Sequence, residues 1–180
     1  MEVIDLLAAL SKLYKEKCGL APAKTKLLKL AYLAEVYYKR ISKERLTKQI
    51  WLFWKYGPYF GEFEKIIRNE SYFDRPEQAD DFYPVEVKEE LNLVKLNIEE
   101  KIAILRALDH ADDELNQILD FVYFDTEPMI KAKTRGEILD FNSIMPEEYY
   151  RVKDYKINKK ESLKITEMIK EWEKKIKSGH

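Results

Sequence analysis

The chain has 180 residues, 46% apolar and 36% charged, with a formal net charge of −1. This length suits one domain, or one domain with an appendage, and is enough to bury a substantial core. Because acidic and basic residues balance, composition gives no electrostatic reason to expect nucleic-acid binding. The single cysteine, Cys18, excludes an internal disulfide. With no membrane-spanning stretch and no signal-peptide pattern, the sequence predicts a cytoplasmic protein.

Two helices are expected at the amino-terminal end of the chain. An apolar stripe from Val3 to Tyr14 predicts an amphipathic first helix, which Gly19 and Pro22 should end. The second helix is expected over residues 23–41, where apolar residues follow helical spacing on more than one face. We therefore expect the second helix to be central and covered on several sides.

The next segment is rich in aromatic residues. Residues Ile50–Trp54 are apolar throughout, which predicts a short strand buried on both faces. Gly57 and Pro58 interrupt this run, and Pro58 is expected at the first position of a new helix. That helix would direct a set of side chains inward, namely Tyr59, Phe63, Ile66 and Ile67.

The second half of the chain is less regular. Residues 69–84 predict a long surface loop, and residues 85–96 a small hairpin that turns near Glu89, although the same apolar residues also fit a helix. Asn97 and Glu100 have the spacing of a capping box at the start of a helix. Asp112 is expected to cap the helix that follows. Residues 125–150 are expected to be irregular, before a final amphipathic helix.

The second helix and the aromatic segment together resemble the Panacea domain, the family of SocA-like, prophage-associated antitoxins. The matching residues are Lys26, Leu27, Lys29, Leu30, Tyr32, Trp54, Tyr56, Gly57 and Pro58. A second matching patch runs from Leu115 to Thr126-Glu127-Pro128, so that the likeness covers roughly residues 3–141. One departure is Tyr59-Phe60-Gly61, where the family pattern has a small apolar residue and proline.

The resemblance implies a non-catalytic, protein-binding function. Panacea-domain proteins neutralise toxins by direct contact, and some relatives deliver the toxin to a protease. The expected partner is therefore a protein toxin encoded by a neighbouring gene, with a protease as a further partner. A DNA-binding regulator is the alternative, because the segments around Gly57 and Gly61 could contain a helix-turn-helix. A hydrolase or nuclease is the third class considered.

The residues give no positive sign of catalysis, a cofactor or a metal. The acidic run around His110, residues 109–114, lacks a second nearby histidine and the glycine turn of a calcium loop, which favours a solvated junction between helices. The five glycines never form a phosphate-binding loop. Glu35 and Lys39 have the spacing of an ion pair on a helix surface.

We accordingly predict a mainly α fold (α+β with a small β element), in which about six helices pack around a central buried helix and a short apolar strand. Residues 1–150 would form a Panacea-like domain, and residues 151–180 an amphipathic helix packed on it. The Gly57-Pro58 turn, the Thr126–Gly136 loop, or both are expected to contact the partner, because exposed Trp and Tyr dominate protein interfaces. The predicted contact residues are Trp54, Tyr56, Gly57, Pro58, Tyr59, Phe60, Thr126, Pro128, Met129, Lys133 and Arg135.

Overall fold

The computed structural model describes residues 1–74, 83–88 and 96–146. The predicted final helix, the boundary near residue 150 and the turn near Glu89 lie outside these ranges. The helices within them are α1 (Val3–Cys18), α2 (Lys24–Ser42), α3 (Phe63–Ile67), α4 (Ile98–Leu108), α5 (Leu115–Asp125) and α6 (Glu127–Lys131). The strands are β1 (Leu52–Trp54), β2 (Gly57–Tyr59), β3 (Phe73–Asp74) and β4 (Glu86–Val87). The predicted mainly α fold with a small β element is confirmed.

The first helix ends where its sequence predicts. Gly19 adopts a left-handed conformation with φ of 78°, and its N–H donates a 2.8 Å hydrogen bond to the Lys15 carbonyl. Glycine adopts this conformation without steric cost, so that the residue closes the helix. None of the helices within the described ranges combines the length and the apolarity needed to cross a membrane.

The second helix, α2, is central. All ten residues from Leu27 to Val36 are buried, and α2 packs against α1, α4, α5 and β2. The prediction that α2 is covered on more than one side is therefore confirmed. Two of the ten buried side chains, Lys29 and Glu35, belong to residue types that are charged in water at neutral pH, and each takes part in holding a segment that lies beside the helix.

An aromatic cluster joins α2 to the strands. The Trp51 side chain is 1% exposed, and its ring makes edge-on contacts with Tyr32 at 5.4 Å and Phe60 at 4.9 Å. Phe60 in turn contacts Phe63 at 5.6 Å, and Tyr32 contacts Phe141 at 5.9 Å. Edge-to-face packing of this kind adds to the energy of apolar burial. The aromatic segment thus contributes Trp51, Phe60 and Phe63 to the core.

The predicted doubly buried strand is wrong. Ile50 is 62% exposed and Trp54 is 51% exposed, because residues alternate between the two faces of the extended chain and one face is open. The predicted helix beginning at Pro58 is wrong as well. Pro58 lies in β2, which pairs antiparallel with β1 and places Tyr59 opposite Leu52.

Pro58 lies in a strand and not in a helix because a tight turn joins β1 to β2. Gly57 has φ of 84°, which lets the chain reverse direction directly after Lys55 and Tyr56. The next helix, α3, begins only at Phe63 and has five residues. A helix-turn-helix is therefore not formed around Gly57.

A third extended segment, residues 136–139, lies along the other edge of β1. The Phe53 N–H donates to the Glu137 carbonyl and the Leu139 N–H donates to the Trp51 carbonyl, both at 2.8 Å. Leu52 and Ile138 are directly opposite each other in this pairing. Residues 125–146 are thus more regular than predicted, since they contain α6, this extended segment and a 3₁₀ turn over Phe141–Ser143.

The predicted surface loop over residues 69–84 is wrong at its described ends. Phe73 is 1% exposed and pairs with Val87 in the β3–β4 ladder, and Tyr83 is also buried. Turn-forming residues around Phe73 and Tyr83 favour a surface loop, but burial of the two aromatic side chains stabilises the fold more. Residues 75–82 lie outside the described ranges.

The helix starts in the second half were predicted with mixed success. The Asn97–Glu100 capping box is confirmed, with both of its hydrogen bonds at 2.8 Å. Helix α5 begins after Glu114 rather than at Asp112, and the Glu114 N–H donates to Gln117 Oε1 at 2.7 Å. The Asp112 carboxylate instead forms an ion pair with Lys17 at 3.1 Å.

Candidate partner-binding surface

One side of the small sheet presents apolar side chains to solvent. Ile50, Leu52 and Trp54 alternate along the chain and therefore face the same way. Tyr59 and Ile138 lie on either side of Leu52 across the ladder, and side chains directly opposite each other share a face. We call these five residues the outer face.

The outer face is largely accessible. Ile50 and Ile138 are 62% and 63% exposed, and Trp54 is 51% exposed. Leu52 and Tyr59 are half-buried. Exposed apolar side chains that cluster on one face are candidates for a binding surface.

The inner side of the same sheet is packed. Trp51 enters the aromatic core, and the Phe53 ring meets Tyr123 of α5 edge-on at 6.1 Å. Leu139 is 3% exposed and Pro58 is buried. The sheet therefore has one face against the helices and one toward solvent.

A buried lysine supports the β2 strand from behind. Lys29 of α2 is 1% exposed, and its Nζ donates a 2.8 Å hydrogen bond to the Pro58 carbonyl. A side chain on Gly57 would place its Cβ 3.6 Å from both Lys29 Nζ and the Tyr123 ring. The backbone of the turn thus lies directly against these two side chains.

The environment of Lys29 affects its ionisation. Burial lowers the pKa of Lys29 to about 7, because the charged amine loses its hydration. A neutral lysine amine is a nucleophile in some enzymes. At 1% exposure, however, the Lys29 amine is out of reach of a substrate, and its geometry is that of a structural support.

Cationic side chains surround the turn. Lys55, Lys133 and Arg135 are all exposed, and Lys55 Nζ lies 5.1 Å from the centre of the Tyr56 ring. The neighbouring carboxylate, Glu137, accepts hydrogen bonds from the N–H groups of Lys133 at 2.9 Å and Thr134 at 3.2 Å. These hydrogen bonds lower the pKa of Glu137 and fix the loop that leads to residues 136–139.

The predicted contact residues divide into two groups. Trp54, Tyr56, Lys133 and Arg135 are exposed, and Tyr59 is half-buried. The remaining six lie in the interior, namely Gly57, Pro58, Phe60, Thr126, Pro128 and Met129. Sequence reasoning missed Ile50, Leu52 and Ile138 as surface residues. The alternation of Ile50 and Leu52 with Trp51 and Phe53 carries little signal, because every position in that run is apolar.

The interior residue Thr126 links the two patches of the family resemblance. Its hydroxyl donates a 2.6 Å hydrogen bond to the Val122 carbonyl, so its oxygen accepts the hydrogen bond from the Tyr32 hydroxyl at 2.9 Å. Tyr32 belongs to the first resemblance patch and Thr126 to the second. The two patches therefore meet at the junction of α2 with α5.

A buried carboxylate holds the segment that enters β1. Glu35 is 0% exposed and accepts hydrogen bonds from the N–H groups of Leu46 at 3.2 Å and Thr47 at 3.1 Å, and from the Thr47 hydroxyl. Arg45 Nε lies 3.3 Å from the same carboxylate. Burial raises the pKa of Glu35, and the Arg45 charge opposes this effect. The predicted pair with Lys39 is wrong, because Glu35 faces the interior.

The acidic run around His110 forms a junction between helices. His110 Nδ1 lies 2.8 Å from an Asp113 carboxylate oxygen, Nε2 lies 3.1 Å from the Tyr37 hydroxyl, and the ring packs on Phe121 at 4.5 Å. Across the ranges that the structure describes, no three His, Cys, Asp or Glu side chains gather in a metal-binding arrangement. These contacts connect α2 to the turn between α4 and α5.

The residues that carry the Panacea resemblance occupy the centre of the fold. Lys29, Leu30 and Tyr32 are buried in α2, and Gly57 and Pro58 lie against them. Buried residues of this kind stabilise the fold of many proteins, so that their location is no evidence for or against membership of the family. Comparison of the chain with protein families, with curated proteins and with solved structures gave no match in any of the three.

Proposed function

We propose that this protein is an antitoxin-like, protein-binding domain that recognises a partner toxin through the outer face. The observation that supports this proposal is the combination of an exposed apolar sheet face with a buried opposite face. Trp54 and Ile138 provide accessible apolar area, and Trp and Tyr are among the residue types that contribute most to protein interfaces.

Contacts on the inner side of the sheet hold the outer face in one conformation, which favours a role in binding. Lys29 holds the Pro58 carbonyl, Phe53 packs on Tyr123, and residues 136–139 pair with β1. A surface held in one conformation before binding loses less conformational entropy when a partner arrives. The outer face is thus arranged as a preorganised binding surface.

The antitoxin part of the proposal comes from the family resemblance. A protein that masks the working surface of a toxin, or carries the toxin to a protease, needs a stable contact and no catalytic group. An exposed apolar face fits this requirement. The expected partner is the product of a neighbouring gene.

The test is co-expression with the product of each adjacent gene. A double variant, Trp54→Ala with Ile138→Asp, should lose both co-purification and rescue of growth, because it removes apolar area from the outer face and places a charge there. Leu20→Ala is the matched control, since Leu20 is 61% exposed but lies in the turn between α1 and α2. Circular dichroism should confirm that both variants remain folded.

Two results would contradict the proposal. If the folded double variant still binds and neutralises the toxin at full strength, the outer face is not the contact surface. If no neighbouring product is toxic or bound by the wild-type protein, the antitoxin function itself should be abandoned.

A further inference from the structure

We infer that the outer face takes an acidic, amphipathic protein segment, in which apolar side chains cover Trp54 and Ile138 while carboxylates meet the cations beside them. This inference rests on the proposed function and specifies the chemistry of the partner. It follows from the charges around the turn rather than from the apolar residues themselves.

Three cations at this end of the sheet are available to a partner. Lys55 directly follows Trp54, and Arg135 precedes Gly136, whose N–H donates a 2.7 Å hydrogen bond to the Phe53 carbonyl. Lys133 lies in the same loop as Arg135. Within the described residues, none of these three side chains forms an ion pair at 4.0 Å or less, and Lys133 attracts the Glu137 carboxylate of its own loop at longer range. All three are exposed.

Four carboxylates lie in the neighbouring segments, and one of them, Glu64, is neutralised by an ion pair. Glu64 forms an ion pair with Lys24 at 2.9 Å, and Glu137 accepts the N–H groups of its own loop. Asp140 accepts the Asn142 N–H at 2.9 Å, and Glu62 lies 3.5 Å from the Gln49 side-chain amide. At the Trp54 end of the sheet, the three cations outnumber Glu137, the carboxylate of the same loop, so that the local charge of the described residues is positive and attracts a partner that carries carboxylates.

The aliphatic part of the outer face favours a protein over a nucleic acid. Single-stranded nucleic acids bind through cations and through aromatic rings on which bases stack. Ile50, Leu52 and Ile138 offer no such rings, and they make up most of the outer face. A net charge of −1 also lowers the non-specific attraction of the whole chain to phosphates.

A displayed library of random 12-residue peptides tests this inference without knowledge of the toxin. The library would be selected on immobilised wild-type protein and counter-selected on the folded Trp54→Ala, Ile138→Asp variant. Enriched peptides should combine aromatic or aliphatic residues with an excess of Asp and Glu. A synthetic copy of one enriched peptide should bind at least about tenfold more weakly to the Lys133→Glu, Arg135→Glu variant, and more weakly at high salt.

The matched charge control is Lys12→Glu on α1, which should leave the affinity of the peptide unchanged. Enriched peptides that are neutral or basic, or whose binding survives the charge reversal, would overturn the acidic partner while leaving the outer face as the contact surface. Failure to enrich any peptide that depends on Trp54 and Ile138 would overturn the surface itself.

Binding of a dT20 oligonucleotide that the same variants abolish would identify a nucleic-acid site instead. Dimerisation that Ile138→Asp abolishes would show that a second copy occupies the face.

Discussion

The Lys29 amine on the central helix lies 2.8 Å from the Pro58 carbonyl oxygen on β2 and donates a hydrogen bond to it. Pro58 has no N–H, and its carbonyl is held from the interior, so that this edge of β2 offers little to another strand. The contact also joins the stability of the helical core to the position of the turn that bears Trp54. A change in the ionisation of Lys29 therefore acts on both.

Replacing Lys29 with methionine should remove a pH dependence of stability. Burial lowers the pKa of Lys29 to about 7, whereas the unfolded chain keeps a lysine pKa of about 10.4. Between these values the unfolded chain binds a proton that the folded protein does not. The free energy of unfolding should therefore rise with pH above about 7, by up to about 1.4 kcal/mol per pH unit.

Urea denaturation of the wild type and of Lys29→Met from pH 6 to pH 9 measures this effect. As pH rises, the free energy of unfolding of the wild type should increase relative to that of Lys29→Met. Parallel stability curves would mean that the Lys29 amine ionises as it does in water.

Replacing Glu35 with alanine should destabilise the fold by about 2–4 kcal/mol, because the buried N–H groups of Leu46 and Thr47 lose their acceptor. Glu35→Gln keeps one acceptor oxygen and should cost less. Denaturation at pH 7 gives both values, with the exposed Glu16→Ala on α1 as the control. A loss below about 1 kcal/mol in Glu35→Ala would show that water replaces the carboxylate.

Gly57→Ala should cost about 1–3 kcal/mol, because alanine rarely adopts the positive φ found at Gly57. Gly61→Ala is a close control: Gly61 has no positive φ, and nothing lies within 4 Å of an added Cβ. Thermal unfolding of both variants measures the difference. Equal melting temperatures would mean that the turn adopts another conformation in solution.

Leu30→Ala should destabilise the protein by about 2–5 kcal/mol, since Leu30 is 0% exposed at the centre of α2 and its truncation leaves a cavity. Leu20→Ala removes the same atoms from a residue that is 61% exposed, and it should change stability by less than about 0.5 kcal/mol. Similar losses from the two substitutions would contradict the assigned core.

Local signals in the sequence were sufficient for α1, for α2 and for the start of α4. The stop at Gly19 depends on one residue's conformational freedom, and the Asn97–Glu100 capping box depends on two residues three positions apart. The burial of α2 could be predicted because its apolar residues occupy several faces. Each of these features is determined within a few turns of the chain, where spacing alone carries the information.

The sheet could not be predicted in the same way. The run Ile50–Trp54 is apolar at every position, and only its pairing with residues 136–139 and β2 determines which side chains face solvent. The burial of Lys29 and Glu35 in α2 could not be predicted from the sequence either. Lys29 and Glu35 resemble surface residues in sequence, yet their partners, Pro58 and the Leu46–Thr47 backbone, make burial possible.

The pairing of β1 with residues 136–139 also has a consequence for synthesis on the ribosome. The chain produces β1 and β2 long before it produces Gly136–Leu139, so that the edge of β1 first emerges without its neighbour. During that interval the Phe53 N–H and C=O groups, and the Trp51 carbonyl, lack the partners that they have in the finished fold. An unpaired apolar edge readily joins another chain. Nascent or truncated chains that stop after α5 should therefore depend on chaperones to avoid aggregation, although they contain the whole of the central helix.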